Sequence, residues 1–194
     1  MKILIAVPTF ETIMPETFKS IYELDTIDAE CSFDFVKGYD CAKARNAIVC
    51  KALSGGYDYV LMVDSDIILP PDTLLHFLNE PADICFGVYP HKNTTNGKAE
   101  IFKPGTDNFE LRFSYKELKT DRIKVKGAGL GCAFVSTDVF RKMQYPYFRY
   151  VINESGSALS EDLYFCDVAS KIGYDLWADT RIKCGHLAKY FQYE

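Results

Sequence analysis

Two carboxylates one residue apart, Asp64 and Asp66, end the apolar run 59–63. An apolar run bounded by polar residues is typical of a buried strand, and acids at its end need a positive partner. In an extended chain residues i and i+2 point the same way, so both carboxylates beside Ser65 can face one ligand. Oxygen ligands at this spacing suit Mn²⁺ or Mg²⁺, the kind of cation that a diphosphate leaving group needs. The alternative is a polar strand end that leads into a loop.

A second acidic pair, Glu161 and Asp162, follows Ser160, which the pattern makes the N-cap of a helix. Two acids in the first turn of a helix stabilise it for electrostatic reasons alone. The functional alternative makes Asp162 a general base that removes a proton from an attacking hydroxyl.

Two basic residues could complete a site around these acids. His186 follows Cys184 and Gly185 at a predicted strand end, and with Asp66 it would form a mixed oxygen and nitrogen metal site. A lone histidine is more often structural. Arg45 lies in the small and apolar stretch "CAKARNAIV", where it could pair with a surface acid or point at a phosphate or a base.

The segment "GAGLGCAF" places Gly127, Gly129 and Gly131 before a predicted strand. Glycines permit close backbone approach, so the segment is either a tight turn or a loop that lines a substrate. Because a strand and not a helix follows, the segment does not match a nicotinamide-binding fingerprint.

The elements that must position these residues alternate between strand and helix. Strands are predicted at 2–7, 32–36, 59–63 and 82–89, and helices at 15–24, 40–53 and 70–78. The series predicts an α/β fold with a mainly parallel central sheet and helices on both faces. Ligands of such folds bind beyond the carboxyl ends of the strands, where Asp64 and Asp66 lie. Residues 93–125 predict a small antiparallel hairpin or a loop.

Length and composition set further bounds. The 194 residues suffice for one domain, and a net charge of −5 without a dense basic cluster argues against a nucleic-acid surface. No apolar run is long enough to span a membrane, and the first ten residues are too short for a signal peptide. The seven scattered cysteines, none at CxxC spacing, indicate reduced core thiols and a cytoplasmic location, not a disulfide framework or a zinc site.

Taken together, the segments resemble nucleotide-sugar-dependent glycosyltransferases of the GT-A fold, and in particular glycosyltransferase family two. The resemblance rests on six segments in the order of that family, each weak alone: "VPTF", "AKARNAIV", "YDYVLMVDSDIILPPDTL", "GAGLGCAFVSTDVFRKM", "SEDLYFCDVASKIGYDLWAD" and "CGH". It implies a GT-A domain over residues 1–194, with a nucleotide-binding half at 1–92 and an acceptor-binding half at 93–194.

The resemblance also implies a role for each matched residue. Pro8, Thr9 and Glu11 would lie beside the nucleoside, Arg45 near the nucleotide, and Asp64 at the ribose or a water of the metal shell. Asp66 and His186 would bind Mn²⁺ or Mg²⁺. The pair Glu161 and Asp162 would supply the base of an inverting transferase, with Asp162 as the residue of choice. Residues 127–131, including Gly129, would line the sugar and acceptor pocket.

Some features of the family pattern are missing. The stretch "FDFVKGYD" after the second strand does not securely place an acid that reads the base, so uridine is only the default nucleoside. The chain has no C-terminal helical extension, and acceptor recognition would fall to residues 93–125, to residues 145–157 or to a partner. The acceptor is expected to be a glycan or another molecule with a hydroxyl group.

Two alternative functions are compatible with the same residues, and a third is disfavoured. A retaining GT-A transferase would use the same metal site without Asp162 as the base. A non-catalytic sugar- or nucleotide-binding domain could keep the same fold. A nucleotide-sugar pyrophosphorylase is disfavoured, because "VPTFETIMPE" lacks the glycine- and basic-rich loop expected after its first strand.

Overall fold

A computed structural model describes residues 1–38, 40–91, 97–105, 109, 111–152 and 158–187. The helices are α1 (Pro15–Tyr22), α2 (Cys41–Ser54), α3 (Thr73–Asn79), α4 (Thr137–Lys142) and α5 (Glu161–Lys171), with a 3₁₀ turn at Tyr115–Glu117. The strands are β1 (Lys2–Thr9), β2 (Glu30–Lys37), β3 (Tyr59–Val63), β4 (Ile67–Ile68), β5 (Ile84–Val88), β6 (Lys98–Phe102), β7 (Arg112–Ser114), β8 (Arg122–Lys124), β9 (Gly127–Ala128), β10 (Cys132–Ser136), β11 (Val151–Ile152), β12 (Ala158–Leu159), β13 (Trp177–Lys183) and β14 (Gly185–His186).

A seven-stranded sheet in the order β2-β1-β3-β10-β5-β13-β8 forms the centre of the fold. Strands β1, β2 and β3 are parallel, as are β5 and β13, whereas β10 runs antiparallel between β3 and β5. Helices cover both faces, which confirms the predicted α/β class with a mainly parallel sheet.

The two faces of the sheet bury separate apolar clusters because alternate strand residues point to opposite sides. Leu4, Ala6, Val60 and Met62 pack against helices α2, α4 and α5. Ile3, Ile5, Leu61 and Val63 pack against α1 and α3. This two-sided burial explains the uninterrupted apolar run before Asp64.

Several element boundaries follow local signals in the sequence. Asp40 caps α2 by accepting a hydrogen bond from the backbone N–H of Lys43 at 2.7 Å. Helix α3 begins at Thr73, after a turn that contains Pro70 and Pro71. Ser160 precedes α5 as predicted, but its side chain does not cap the helix backbone.

Strand β10 lies in the centre of the sheet and runs antiparallel to β3 and β5, whereas the predicted series was one of parallel strands. The sequence pattern of the strand after the glycine segment does not indicate which strands will be its neighbours. The antiparallel pairing of β6 with β7 confirms the hairpin expected between residues 93 and 125. The turn "NTTNGK" and the loop 145–157 lie partly outside the described residues, which lack 92–96 and 153–157. In the described ranges, none of the helices combines the length and apolar character needed to cross a membrane.

Candidate functional site

A cavity of about 400 Å³ opens at the carboxyl ends of β1 and β3. Its walls come from β1 and the segments after β1, β2 and β3, from the start of α2 and from the residue before β11. The lining residues are Pro8, Thr9, Phe10, Gly38, Asp40, Cys41, Ala44, Asp64, Ser65, Asp66 and Tyr150. The structure therefore brings Pro8, Thr9 and the whole Asp64-Ser65-Asp66 segment into one concave surface, at the end of the parallel strands where the fold is expected to bind ligands.

Beneath this cavity Arg45 joins two acids that are far apart in the sequence. Its side chain is only 3% exposed, and its Nη2 donates to Asp64 Oδ1 at 2.7 Å while its Nη1 donates to Glu161 Oε1. Asp64 keeps one third of its side chain exposed at the cavity, whereas Glu161 is 8% exposed. Arg45 thus links the segment after β3 to the first turn of α5.

The electrostatics of this cluster follow from its burial. Burial opposes the charge of Arg45, but the carboxylates of Asp64 and Glu161 hold the pKa of its guanidinium above the usual value. Burial raises the pKa of Glu161, and the positive charge of Arg45 offsets only part of that effect. The side chain of Tyr150 at the cavity wall also lowers the pKa of Glu161, by a smaller amount than Arg45. Glu161 is therefore a buried acid that Arg45 holds in place, and its predicted part in catalysis stays a prediction.

Asp66 lies near His186, whereas Asp64 is paired with Arg45. His186 Nδ1 lies 2.6 Å from the carbonyl oxygen of Pro90, which can only accept a hydrogen bond. Nδ1 is therefore assigned a proton, and the other ring nitrogen, Nε2, lies 3.7 Å from Asp66 Oδ1. This separation is too long for a hydrogen bond, and a proton on Nδ1 leaves Nε2 as the ring nitrogen that could bind a metal.

The backbone holds this pair in place. Strand β14 pairs antiparallel with β4, with His186 opposite Ile67, and the N–H of Leu187 donates to the carbonyl of Asp66 at 2.9 Å. The ring of Tyr89 packs edge-on against His186, with centroids 5.3 Å apart. Strand pairing therefore fixes the backbone at His186 and next to Asp66, which lies in the turn before β4.

The glycine segment packs around Tyr89. The N–H of Gly131 donates to the Tyr89 hydroxyl at 3.1 Å, and a Cβ at Gly129 would lie 2.1 Å from that oxygen. Burial raises the pKa of the Tyr89 hydroxyl well above its usual value, and the charge of Asp64 adds to this effect. Gly129 is buried, so its observed contribution is to make room for Tyr89 beside His186.

Asp162 lies partly exposed in the first turn of α5. Its Oδ1 accepts hydrogen bonds from the Ser160 hydroxyl and, at 2.8 Å, from the N–H of Leu163. Its charge acts on both Arg45 and Tyr89, so it belongs to the same charged neighbourhood as the Arg45 cluster. Its role as a base stays a prediction.

Not every predicted site residue lines the cavity. Glu11 is exposed on the bend after β1. Among the described residues, the predicted site residues that are not part of the cavity wall include Glu11, Arg45, Gly129, Asp162 and His186. The sequence analysis did not single out the lining residues Cys41 and Tyr150. A helix start after a strand could have indicated Cys41, whereas no local pattern marks Tyr150.

The protein atoms alone do not form a closed metal centre. Over the ranges that the structure covers, no group of three or more His, Cys, Asp or Glu side chains is arranged to hold an ion. Asp66 and His186 supply two donors that face each other. Mg²⁺ sites in nucleotide-binding proteins commonly use one or two protein ligands and complete the shell with phosphate oxygens and water, so the donor set fits a cation that binds together with a diphosphate.

Comparisons with known proteins agree on the fold. No protein-family profile matches the sequence, and no curated protein is significantly similar to it. Among solved structures, A197 from STIV is similar with a TM-score of 0.67 at 19% identity, over 97% of this chain and 87% of A197.

Two further structures contain ligands. TarS from S. aureus, in complex with UDP-GlcNAc, has a TM-score of 0.57 at 13% identity, over 98% of this chain and 60% of TarS. GalNAc-T7, with UDP, GalNAc and Mn²⁺, has a TM-score of 0.67 at 8% identity, over 97% of this chain and 43% of GalNAc-T7. The protein therefore has the GT-A fold of these glycosyltransferases, and at such identities the likeness defines the fold alone.

Proposed function

We propose that the protein is a divalent-metal-dependent glycosyltransferase that moves a sugar from a nucleoside-diphosphate sugar, UDP-linked by default, to a hydroxyl acceptor with inversion. The observation that carries the proposal is the meeting of Asp64 and Asp66 at the cavity, with His186 directed at Asp66. The similar structures of TarS with UDP-GlcNAc and GalNAc-T7 with UDP, GalNAc and Mn²⁺ support it.

The cavity suits a nucleotide in size and chemistry. Its volume of about 400 Å³ falls within the range of small-molecule sites. Phe10 and Tyr150 at its wall offer aromatic faces to a base, while Pro8 and Thr9 lie at the end of β1 beside it. Asp64 keeps an exposed part of its carboxylate for a ribose hydroxyl, because Arg45 holds the side chain from below.

Asp66 and His186 would hold Mn²⁺ or Mg²⁺, with the donor diphosphate supplying further oxygen ligands. When bound, the cation would neutralise charge that develops on the departing diphosphate. Arg45 is buried and already paired with two acids, so it acts on the nucleotide through Asp64 and not by direct contact.

In the transfer step, the acceptor oxygen forms a bond to the anomeric carbon as the bond to the diphosphate oxygen breaks. The acceptor proton moves to the carboxylate of Asp162. The Ser160 hydroxyl and the N–H of Leu163 orient Asp162 through Oδ1. Attack from the face opposite the leaving group inverts the anomeric configuration, whereas a retaining enzyme would not need Asp162 as a base.

Thermal unfolding with UDP, GDP, CDP and dTDP, each with and without Mn²⁺, tests the metal-diphosphate site. A ligand at about 100 times its dissociation constant stabilises the native state by roughly 2.7 kcal/mol. For a chain of this length the unfolding midpoint would rise by roughly 5 to 11 °C. We expect one nucleotide to give this shift only with Mn²⁺, and we expect Asp66→Asn to abolish it.

Asp72→Asn is the matched control, because Asp72 is an exposed acid paired with His76 outside the cavity. This variant should keep the full nucleotide-dependent shift. The proposal fails if no nucleotide raises the midpoint with metal present. A metal-dependent shift without transfer of sugar from the matching donor to any tested acceptor would favour the non-catalytic binding domain.

A further inference from the structure

Three aromatic rings lie exposed together at one edge of the central sheet. Phe18 of α1 and Phe33 and Phe35 of β2 are 44%, 37% and 44% exposed. Their ring centroids lie 6.0, 6.4 and 4.6 Å apart, so each ring contacts the other two. We call these three residues the edge aromatic patch. Contiguous exposed aromatics on a folded protein commonly mark an interaction surface.

The patch continues onto the open backbone of an edge strand. All eight residues of β2 pair in regular parallel register with β1, and β2 is the last strand on its side of the sheet. In the part of the chain that the structure covers, β1 is the only strand that pairs with β2. Sheet edges are often protected by a proline, a bulge, a short strand or charged side chains. Strand β2 has no proline, its pairing with β1 has no bulge, and its charged residues are Glu30, Asp34 and Lys37.

We propose that β2 pairs antiparallel with β2 of a second copy of this chain, around a two-fold axis that passes between the two Asp34 residues. The dimer would extend the central sheet across both molecules and join the two edge aromatic patches. This inference is independent of the proposed transferase activity.

The spacing of β2 favours this self-pairing. Rotation about an axis perpendicular to the sheet leaves each side chain on the same face of the sheet in both copies. Residues directly opposite each other must share a face, so odd-numbered residues of β2 can pair only with odd-numbered residues, and even-numbered with even-numbered. With Asp34 at the axis, Phe33 lies opposite Phe35 of the second copy, and this pair occurs twice. Aromatic pairs directly opposite each other stabilise antiparallel strands. The same register pairs residues 31–37 along the strand.

Charge on the other face is compatible with this register. Two Asp34 carboxylates at the axis would repel each other if they were unpaired. Each is held by Lys51 Nζ of α2 at 2.5 Å within its own chain, so each acid brings its own counter-charge to the axis. This neutralised centre favours a second copy over a partner of strong single charge.

Sedimentation velocity of the full chain over a range of micromolar concentrations tests the dimer. We expect a reversible shift from monomer to dimer as the concentration rises. Phe35→Lys should weaken self-association by at least tenfold and leave the far-ultraviolet circular dichroism unchanged. Ile172→Lys is the matched control, since Ile172 is 43% exposed at the end of α5 and its replacement should leave the dimer intact.

Disulfide trapping tests the register even if a lysine variant folds poorly. In a chain with Cys31, Cys41 and Cys50 replaced by serine, Asp34→Cys should form a cross-linked dimer on mild oxidation. Ser32→Cys, on the same face of β2, should not, because it lies opposite Val36 of the second copy. Equal cross-linking of both variants would overturn the register.

A chain that stays monomeric at every concentration, with no cross-linking of Asp34→Cys, would overturn the dimer. Adsorption of such a monomer to phosphatidylcholine vesicles, lost in Phe35→Lys, would assign the patch to a lipid surface instead. A dimer that Phe35→Lys does not weaken would place the interface on another surface and would also overturn the proposal.

Discussion

Arg45 is the residue on which the geometry of the site depends most. It is buried and holds Asp64 and Glu161 with two separate nitrogens, while its Nε has no hydrogen-bond partner within the described structure. The two acids stabilise the buried positive charge of Arg45, and replacement of Arg45 would leave both acids without a counter-charge. The role of Arg45 is therefore to position the acids.

We predict that Arg45→Met lowers the free energy of unfolding by about 3 kcal/mol or more, because Glu161 would remain buried without its cation. Arg141→Met is the control, since Arg141 is half exposed and pairs with the exposed Asp138, and its loss should cost less than about 1 kcal/mol. Urea unfolding of both variants measures the difference. Equal losses would contradict the structural importance of the Arg45 cluster.

Glu161 should give a characteristic pH dependence of stability. Burial raises its pKa above the ordinary value of 4.5, so the native state binds this proton more strongly than the unfolded state. Its contribution to stability is full below that value and is lost as the pH rises through the native pKa. The unfolding free energy of wild type minus that of Glu161→Gln should therefore fall as the pH rises above 4.5.

Glu117 provides a control of opposite sign in the same urea experiment. A hydrogen bond from Lys103 lowers its pKa below 4.5, so its contribution is present above that pH and is lost in acid. The difference between wild type and Glu117→Gln should rise with pH. A difference for Glu161→Gln that is flat or also rises would show that Arg45 outweighs burial at Glu161.

At the scale of elements, the packing of the glycine segment against the end of β5 positions His186. A Cβ at Gly129 would lie 2.1 Å from the Tyr89 hydroxyl and 2.9 Å from Glu100 Cγ. Glu100 cannot move freely, because it binds both His91 and Arg112. The close approach of these elements therefore requires glycine at this position.

We predict that Gly129→Ala lowers the unfolding free energy by about 1–3 kcal/mol through overpacking. The loss should be smaller when the same change is made in Tyr89→Phe, because the nearest atom is then absent. Chemical unfolding of the four proteins in a double-mutant cycle measures this coupling. Additive losses would contradict a clash with Tyr89 and would place the strain at Glu100.

The sequence predicted elements that depend on local signals better than elements that depend on distant contacts. Apolar runs, the helix predicted from residue 40 and the helix start after Ser160 depend on signals within the segments that form them. The insertion of β10 between β3 and β5, and the contacts of Arg45 with Asp64 and Glu161, join residues far apart in the chain. A pattern within one segment carries no information about which strand it will pair with.

At the scale of the whole molecule, the thiols divide between the core and the surface. All seven cysteines are free, with Cys85, Cys132, Cys166 and Cys184 buried and Cys41 and Cys50 exposed. The sequence predicted reduced core thiols, which is confirmed as to burial for the four buried cysteines and wrong for Cys41 and Cys50, because the apolar residues beside them in the sequence lie on another face of α2. Cys41 lines the candidate nucleotide cavity, whereas Cys50 lies later in the same helix, outside the cavity wall.

This arrangement makes Cys41 a reporter of where a nucleotide binds. We predict that the nucleotide and Mn²⁺ combination that stabilises the fold slows alkylation of Cys41 by iodoacetamide about tenfold at ten times the dissociation constant, by mass action. Burial raises the pKa of the Cys41 thiol, so labelling should be followed at mildly alkaline pH, where more of the reactive thiolate is present. Peptide mass spectrometry measures both rates, and Cys50 should be unaffected. A nucleotide that raises the unfolding midpoint without slowing the alkylation of Cys41 must bind outside this cavity. In that case the cavity at the carboxyl ends of β1 and β3 is not the donor site.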